Sequence, residues 1–210
     1  MFFWLVNIAQ AREFRIVDLP QGWQAKLEVE QCGENECSGK GRVHISNHTT
    51  QQTFERENWS FYVRNLTAEQ DTLPHNDSPI ELADFNFDGT IDSAILIGHF
   101  GPYGSATYDI YVQTPSGKFI RSAELSDLTE NFMGLPQIDS KHKTLTTWGK
   151  SGCCYHVTNT WRVIPNKGLQ EIAQTIWDAT QSENHVEITE KQLINGKWRT
   201  QTRREKRPSN

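Results

Sequence analysis

The sequence lacks the features that would mark a membrane-spanning chain or a member of a common enzyme family. No apolar run reaches the ~18 residues that a transmembrane helix needs, so we expect no transmembrane segment. The Gly-x-Ser-x-Gly and His-Glu-x-x-His motifs and a phosphate-binding loop are absent, and the seven histidines are scattered. We therefore predict a protein that is not an enzyme. A catalytic group of Asp109, Asp139 and His142 would require the fold to bring them together.

Outside the C-terminal end, basic residues are also fewer than acidic residues. The chain has a formal net charge of −5, which gives no indication of nucleic-acid binding. Residues 197–207 contain six basic residues and one acidic residue, so the rest of the chain carries −10. We interpret the basic end as a solvated strand followed by a tail at residues 201–210. Contact with an anionic surface is the alternative.

Alanine is scarce whereas aromatic residues are plentiful, with 7 Trp, 10 Phe and 5 Tyr, and this composition favours strands. Polar and apolar residues alternate in several stretches, such as "AKLEVEQ", and turn signals recur about every ten residues. We predict an all-β, mostly antiparallel fold, either a sandwich or an incomplete propeller. One short helix is predicted near residues 122–132, capped by Ser122 or Ser126. Asn195-Gly196 predicts a two-residue hairpin turn.

The N-terminal segment "MFFWLVNIAQA" is apolar and ends in the small-x-small pattern that signal peptidase cleaves. It lacks a basic region, so we interpret residues 1–11 as the remnant of a signal peptide. An ordinary first strand is the alternative. The remaining chain is predicted to form an N-terminal β region at residues 12–77 and a second β region at residues 78–200. We expect these two regions to pack as one domain.

Cysteine is limited to two pairs, Cys32 with Cys37 and Cys153 with Cys154. An even number fits disulfides in an oxidising compartment, and four cysteines allow three pairings. The first pair could close a short loop, which would leave a disulfide between two adjacent residues. Cross-links between the pairs and free thiols are the alternatives. Zinc is disfavoured because adjacent cysteines do not have the usual ligand spacing.

The stretch "ADFNFDGTID" carries an oxygen-bearing side chain at every second position. These positions are Asp84, Asn86, Asp88, Thr90 and Asp92. With Gly89 between them, they match the first nine positions of an EF-hand-type calcium loop. Position 12 is Ile95 rather than the bidentate Glu, and the flanks are predicted strands, so Glu81 or a backbone carbonyl is a candidate for completing the shell. We predict a structural Ca²⁺ site of modest affinity; an acidic β-turn without metal is the alternative.

The segment "HFGPYGSATY" follows the next strand and combines glycines, aromatic residues and small polar residues. This composition is typical of recognition loops. We predict a partner-binding loop in which His99 could add a cation. The alternative is a long hairpin loop with its tyrosines packed down. The candidate contact residues are Phe100, Tyr103, Ser105 and Tyr108.

Together with "YDIYVQTPSGKF" and "KSGCC", these motifs resemble a family of bacterial periplasmic calcium-binding proteins over roughly residues 78–175. Known members are immunity proteins that block peptidoglycan-cleaving effectors of type IV secretion systems, and they are similar to invertebrate-type lysozyme inhibitors. The resemblance implies a β-rich exported protein, a Ca²⁺ cofactor and a peptidoglycan hydrolase as partner. We place the inhibitory loop at Tyr103–Tyr108 because of its composition. An adhesion module with integrin-like calcium loops is the alternative, although such modules usually repeat the loop.

Overall fold

The structure, a computed structural model, describes residues 10–164 and 167–207. The prediction of a mostly antiparallel all-β fold is confirmed, with 59% of the described residues in strands arranged as three sheets. The predicted short helix is also present, at Ala123–Asn131. Of the segment predicted as a signal-peptide remnant, residues 1–9 lie outside the described residues. Residues 10 and 11 already belong to the first strand.

The chain forms two compact units that do not follow the boundary predicted near residue 78. The first unit contains the described residues up to Ala83, together with Ile91–Gly98 and Asp109–Arg121. The second unit contains Asp84–Thr90, His99–Tyr108 and the described residues from Ser122 onward. The predicted calcium loop and the predicted recognition loop therefore both begin in the second unit.

The first unit contains a five-stranded sheet in the order β4-β3-β2-β1-β5, in which β5 runs parallel to β1 and the other neighbours are antiparallel. A four-stranded sheet follows in the order β6-β7-β8-β9. The strands are β1 (Gln10–Val17), β2 (Gln24–Cys32), β3 (Glu36–Ser46), β4 (Gln51–Tyr62), β5 (Thr72–Pro74), β6 (Ile80–Ala83), β7 (Asp92–Gly98), β8 (Thr107–Gln113) and β9 (Phe119–Arg121).

Alternating residues of the five-stranded sheet face the core of the first unit, as the sequence pattern predicts. On β2, Leu27 and Val29 are buried while the intervening Glu28 is not. The two sheets of this unit are joined by side chains as well as by apolar burial. The indole N–H of Trp59 on β4 donates to the carbonyl oxygen of Leu96 on β7 at 2.7 Å. Because both groups are buried, this hydrogen bond satisfies polar atoms that water cannot reach.

The second unit is built on a six-stranded antiparallel sheet in the order β10-β11-β12-β13-β14-β15. The predicted Asn195-Gly196 turn connects its last two strands, since Ile194 pairs with Lys197 and both turn residues have positive φ. Residues 201–206, which the sequence assigned to a tail, belong to β15. The elements are α1 (Ala123–Asn131), β10 (Gln137–Asp139), β11 (Thr144–Ser151), β12 (Tyr155–Ile164), β13 (Gly168–Asp178), β14 (His185–Ile194) and β15 (Lys197–Lys206).

The helix α1 packs on this sheet through one apolar side. Ser122 is its N-cap, because its hydroxyl accepts a hydrogen bond from the Leu125 amide at 3.4 Å. Leu125 and Leu128 are buried, and the ring of Phe132 after the helix meets Trp161 of β12 edge to face. In the part of the chain that the structure describes, no helix is long and apolar enough to cross a membrane.

Candidate functional site

The acidic loop, defined as Asp84–Thr90, has the backbone that its sequence requires. Gly89 has φ +90° and Phe87 has φ +60°, so the chain turns twice through the left-handed region within three residues. Only glycine adopts this region without steric cost, which explains the glycine at the predicted sixth position of the loop. Phe85 of the acidic loop is buried.

The side chains of the acidic loop converge on its own backbone amides. Asp84 accepts hydrogen bonds from the amides of Asp88 (3.1 Å) and Gly89 (2.9 Å). The Asn86 side chain accepts from the Asp88 amide at 2.9 Å and donates to the Asp88 carboxylate at 2.9 Å. Three of the predicted ligands therefore share one turn.

Asp88 is held in its ionised form by these contacts. Partial burial acts to raise its pKa, but hydrogen bonds from the Thr90 hydroxyl, the Thr90 amide and the Asn86 side chain outweigh burial and lower the pKa below its ordinary value. A carboxylate that keeps its charge suits a cation. The ammonium group of Lys143 lies 3.5 Å from the carbonyl oxygen of Phe87 and adds a positive charge beside the loop.

The residues of the acidic loop fit a hard cation such as Ca²⁺. Each carboxylate oxygen has two lone pairs, so an oxygen of Asp84 or Asp88 that accepts one amide hydrogen retains acceptor capacity. Among the residues described, no three His, Cys, Asp or Glu side chains converge as metal ligands. The calcium prediction rests instead on a mixed set of two carboxylates, the Asn86 amide oxygen and the Thr90 carbonyl.

The fifth predicted calcium ligand, Asp92, and the candidate for completing the shell, Glu81, lie in the first unit. Asp92 is buried on β7, where its carboxylate accepts a hydrogen bond from the Gln113 amide of β8 at 2.9 Å. Glu81 lies 3.7 Å from the Nε2 atom of His75, and burial raises its pKa although the charge of His75 opposes that effect. Their assignment as ligands stays a prediction.

The aromatic loop, defined as His99–Tyr108, presents two large rings to solvent. The exposed fractions of Phe100 and Tyr103 are 72% and 61%. Tyr108 is only half-buried, and its amide and carbonyl both bond to the hydroxyl of Thr129 on α1, at 2.8 Å and 2.9 Å. Of the predicted contact residues, Phe100 and Tyr103 are therefore the most accessible.

The conformation of the aromatic loop is fixed by close backbone packing. A Cβ atom at Gly101 would clash with the Ser105 hydroxyl and would lie 3.2 Å from the carbonyl oxygens of Ser105 and Thr129. Only glycine fits there without displacing the backbone. Tyr103 has φ +57°, a strained value for a large residue, which the surrounding contacts hold in place.

The aromatic loop is tied to a second exposed segment of the same unit, residues 148–156, which we call the disulfide hairpin. The Gly152 amide donates to the Tyr103 hydroxyl oxygen at 2.5 Å, and the Lys150 ammonium lies 4.7 Å from the centre of the Tyr103 ring. Accepting this bond leaves the phenolic O–H of Tyr103 as a donor. The ring is thus oriented while its proton is available.

Both cysteine pairs form disulfides between near neighbours. Cys32 is bonded to Cys37 and Cys153 to Cys154, and the described residues contain no free cysteine. The first disulfide joins the facing ends of β2 and β3, with Cys37 buried. The second lies at the exposed turn of the disulfide hairpin, one residue after the amide that holds Tyr103.

The remaining candidates for chemistry form separate ion pairs. Asp139 and His142 are 2.7 Å apart on the surface of the second unit. Asp109 belongs to the first unit, where it pairs with Arg56 at 3.2 Å and with Arg121 at 2.5 Å. Asp109 is thus paired with two guanidinium groups, whereas Asp139 is bonded to the His142 ring and amide.

Trp148 and Lys150 also belong to this surface, although the sequence did not predict them as site residues. Trp148 is 41% exposed on β11, and its ring stacks on His156 of β12 at 5.8 Å. Trp148 and Lys150 are two residues apart, so both lie on one face of β11, close in sequence to the adjacent cysteines. The alternation along β11 could have predicted that these two residues share a face. It could not have predicted that the C-terminal end of β11 lies beside Tyr103, because that depends on the fold.

Comparison with known proteins yields a structural match. No family model and no curated protein matches the chain. A solved structure described as "Structure of a Xanthomonas Type IV Secretion System related protein" superposes with a TM-score of 0.65 at 21% sequence identity. The match covers 90% of this chain and 92% of that chain. The two proteins therefore share a fold.

Proposed function

We propose that this protein is an exported, calcium-stabilised inhibitor of a peptidoglycan-cleaving enzyme, with the aromatic loop entering the active-site cleft. The observation that carries the proposal is the exposed Tyr103, whose hydroxyl accepts a hydrogen bond from the Gly152 amide and whose loop is closely packed at Gly101. A loop that is ordered before binding loses little conformational entropy on binding. The fold shared with a type IV secretion system related protein supports the same reading.

The chemistry of Tyr103 suits such a cleft. Glycosidases of this kind carry two carboxyl groups beside the scissile bond. A phenolic O–H can donate to one of them while the ring occupies the space of a sugar. Tyrosine is also among the residues that dominate interface energetics, because it buries a large area with few rotatable bonds. The exposed ring of Phe100 would add apolar contact at the same place.

In this proposal Ca²⁺ stabilises the second unit rather than contacting the partner. Asp84, Asn86 and Asp88 would hold it with the Thr90 carbonyl, and Ca²⁺ would neutralise carboxylates that otherwise repel each other. Because the loop lacks a bidentate Glu, we expect a dissociation constant for Ca²⁺ of roughly 10⁻⁴ to 10⁻³ M, the range of extracellular modules.

The proposal is tested by turbidity clearing of bacterial cell walls with purified c-type, g-type and i-type lysozymes. We expect the protein to inhibit at least one class, and Tyr103→Ala to weaken that inhibition by about 10-fold or more. Tyr62→Ala is the matched control, because Tyr62 is also exposed, at 66%, but lies on β4 of the first unit. Equal inhibition by wild type and Tyr103→Ala would show that another surface binds.

Calcium binding is tested separately, by calorimetric titration of the protein with Ca²⁺ and no partner enzyme. We expect one Ca²⁺ to bind wild type and not Asp84→Ala, and chelation to increase protease cleavage within residues 84–90. Lys143→Ala should bind Ca²⁺ more tightly, since it removes a positive charge beside the loop. An unchanged melting temperature and cleavage pattern after chelation would contradict a stabilising ion.

A further inference from the structure

The disulfide hairpin and the aromatic loop present a joint surface within the second unit. The Gly152 amide holds the Tyr103 hydroxyl, and Lys150 lies over the Tyr103 ring. Trp148 lies two residues before Lys150 on the same face of β11, and His156 lies opposite Lys150 on β12. The surface therefore runs from Tyr103 along the hairpin to the Trp148–His156 stack.

This surface has the composition of a binding hot spot. Trp148 and Tyr103 remain substantially exposed even though large aromatic rings gain free energy from burial. The stack on His156 restrains the Trp148 ring, so a partner would meet it in a fixed orientation. Tryptophan, tyrosine and cationic side chains grouped around a rigid backbone are the pattern of residues that dominate affinity in protein interfaces.

The charge of the surface is opposite to that of the whole chain. Residues 99–108 and 144–162 contain no Asp or Glu, whereas the chain carries a net charge of −5. The joint surface carries the ammonium group of Lys150, and the imidazole rings of His99 and His156 belong to the same two segments. On the neighbouring strand β13, Asp178 lies opposite Tyr155, and the Thr180 amide and hydroxyl both donate to its carboxylate, at 2.8 Å and 2.6 Å. The surface is thus suited to a partner rich in carboxylates.

We propose that the disulfide hairpin is a second contact element for the partner, in which Trp148 packs on the rim of a carboxylate-bearing glycan-cleaving cleft and Lys150 pairs with an acidic group there. This inference rests on the proposed function, and it extends the interface beyond the aromatic loop. A cleft that binds and cleaves glycans offers the required chemistry, since it combines carboxylates with apolar surface. Charge pairing of this type mainly accelerates association and fixes orientation.

The test compares three variants in the inhibition assay with whichever lysozyme class wild type inhibits. Trp148→Ala should raise the inhibition constant about 10- to 100-fold. Lys150→Glu, a surface charge reversal that should fold normally, should lower the association rate about 10-fold and reverse its dependence on salt. Trp198→Ala is the matched control, because Trp198 is 46% exposed on β15 of the same sheet, and it should change inhibition less than 2-fold.

The outcomes separate this inference from the proposed function. If Tyr103→Ala abolishes inhibition while Trp148→Ala and Lys150→Glu leave it within 2-fold, the aromatic loop acts alone and the inference is wrong. If Trp148→Ala instead converts a dimer of this chain into monomers without changing inhibition, the surface serves self-association and the inference is also wrong. If wild type inhibits none of the three lysozyme classes, both the proposed function and the inference fall.

Discussion

The two units of the protein use different chemistry at their buried positions. In the first unit most buried side chains are apolar, including the large residues Phe14, Trp59 and Phe61. In the second unit, hydroxyl and amide side chains take a large share of the buried positions. These are Thr107, Ser126, Thr129, Thr144, Thr147 and Asn159.

The difference separates stability from positioning. Apolar burial is non-directional and contributes free energy roughly in proportion to area. Buried hydroxyls contribute less net free energy but fix geometry, because each hydrogen bond has a preferred distance and angle. Thr129 illustrates this role, since its single hydroxyl bonds to the backbone of Tyr108 and of Ser126. The aromatic loop, which carries the candidate site, belongs to the second unit, where buried hydroxyl groups make these hydrogen bonds.

The largest expected effect compares two tryptophans. Trp59→Ala should lower the free energy of unfolding of the first unit by about 3–5 kcal/mol, because it removes a buried ring and leaves the Leu96 carbonyl without its donor. Trp148→Ala, which changes a partly exposed residue of the second unit, should cost about 1 kcal/mol or less. Urea unfolding monitored by circular dichroism measures both. Equal costs would mean that the units do not differ in this way.

A smaller effect is expected from a pair of glycines in the aromatic loop. Gly101→Ala should open the loop, since the new Cβ meets two carbonyl oxygens, whereas Gly104→Ala meets no atom within 4 Å and adds only backbone strain at φ +69°. Limited chymotrypsin digestion should cut Gly101→Ala at Phe100 or Tyr103 several-fold faster than Gly104→Ala. Similar cleavage rates would show that the packing at Gly101 does not fix the loop.

Much of the fold was predictable from local patterns. Period-two alternation gave β2, the Asn195-Gly196 turn gave the last hairpin, and Ser122 gave the helix cap, because each depends on neighbouring residues alone. The division into units was not predictable in this way. The chain enters the second unit at residues 84–90 and 99–108 and returns to the first, which depends on strand pairings across long sequence separations.

The candidate site was only partly predictable, because some of its residues belong to it through local composition and others through long-range contacts. The aromatic loop stood out by its composition, and Phe100 and Tyr103 are exposed there. Lys150 and Gly152 belong to the site through contacts with Tyr103 across almost 50 residues of sequence. No local pattern encodes such a contact, and alternation on β11 gives only the face on which Lys150 lies.

The two disulfides should differ in their response to a mild reductant. Under native conditions a phosphine should reduce Cys153–Cys154 before Cys32–Cys37, because Cys153 is exposed whereas Cys37 is buried. Alkylation of the new thiols followed by mass spectrometry identifies the order. Reduction of the exposed disulfide should also speed chymotrypsin cleavage at Tyr103 a few-fold, since the turn that carries Gly152 loses a constraint. Earlier labelling of Cys32 and Cys37 would contradict the expected order.

The smallest expected effect is a pH dependence of opposite sign in the two units. Burial, opposed by the charge of His75, raises the pKa of Glu81 in the first unit, so its contribution to stability is present below its unfolded pKa of 4.5 and is lost as pH rises through the folded pKa. Side-chain and backbone hydrogen bonds from Thr180 lower the pKa of Asp178 in the second unit, so its contribution is present above 3.8 and is lost as pH falls through the folded pKa.

Glu81→Gln should therefore raise the melting temperature at pH 7 and leave it nearly unchanged at pH 4, whereas Asp178→Asn should lower it slightly at pH 7. Glu34→Gln, at an exposed position of the first unit, serves as the control for loss of one negative charge. Melting curves at the two pH values measure all three variants. If Glu81→Gln and Asp178→Asn shift the melting temperature in the same direction at pH 7, burial does not govern the ionisation of Glu81. The contrast between the apolar first unit and the hydroxyl-bonded second unit then does not extend to the pKa values of their carboxyl groups.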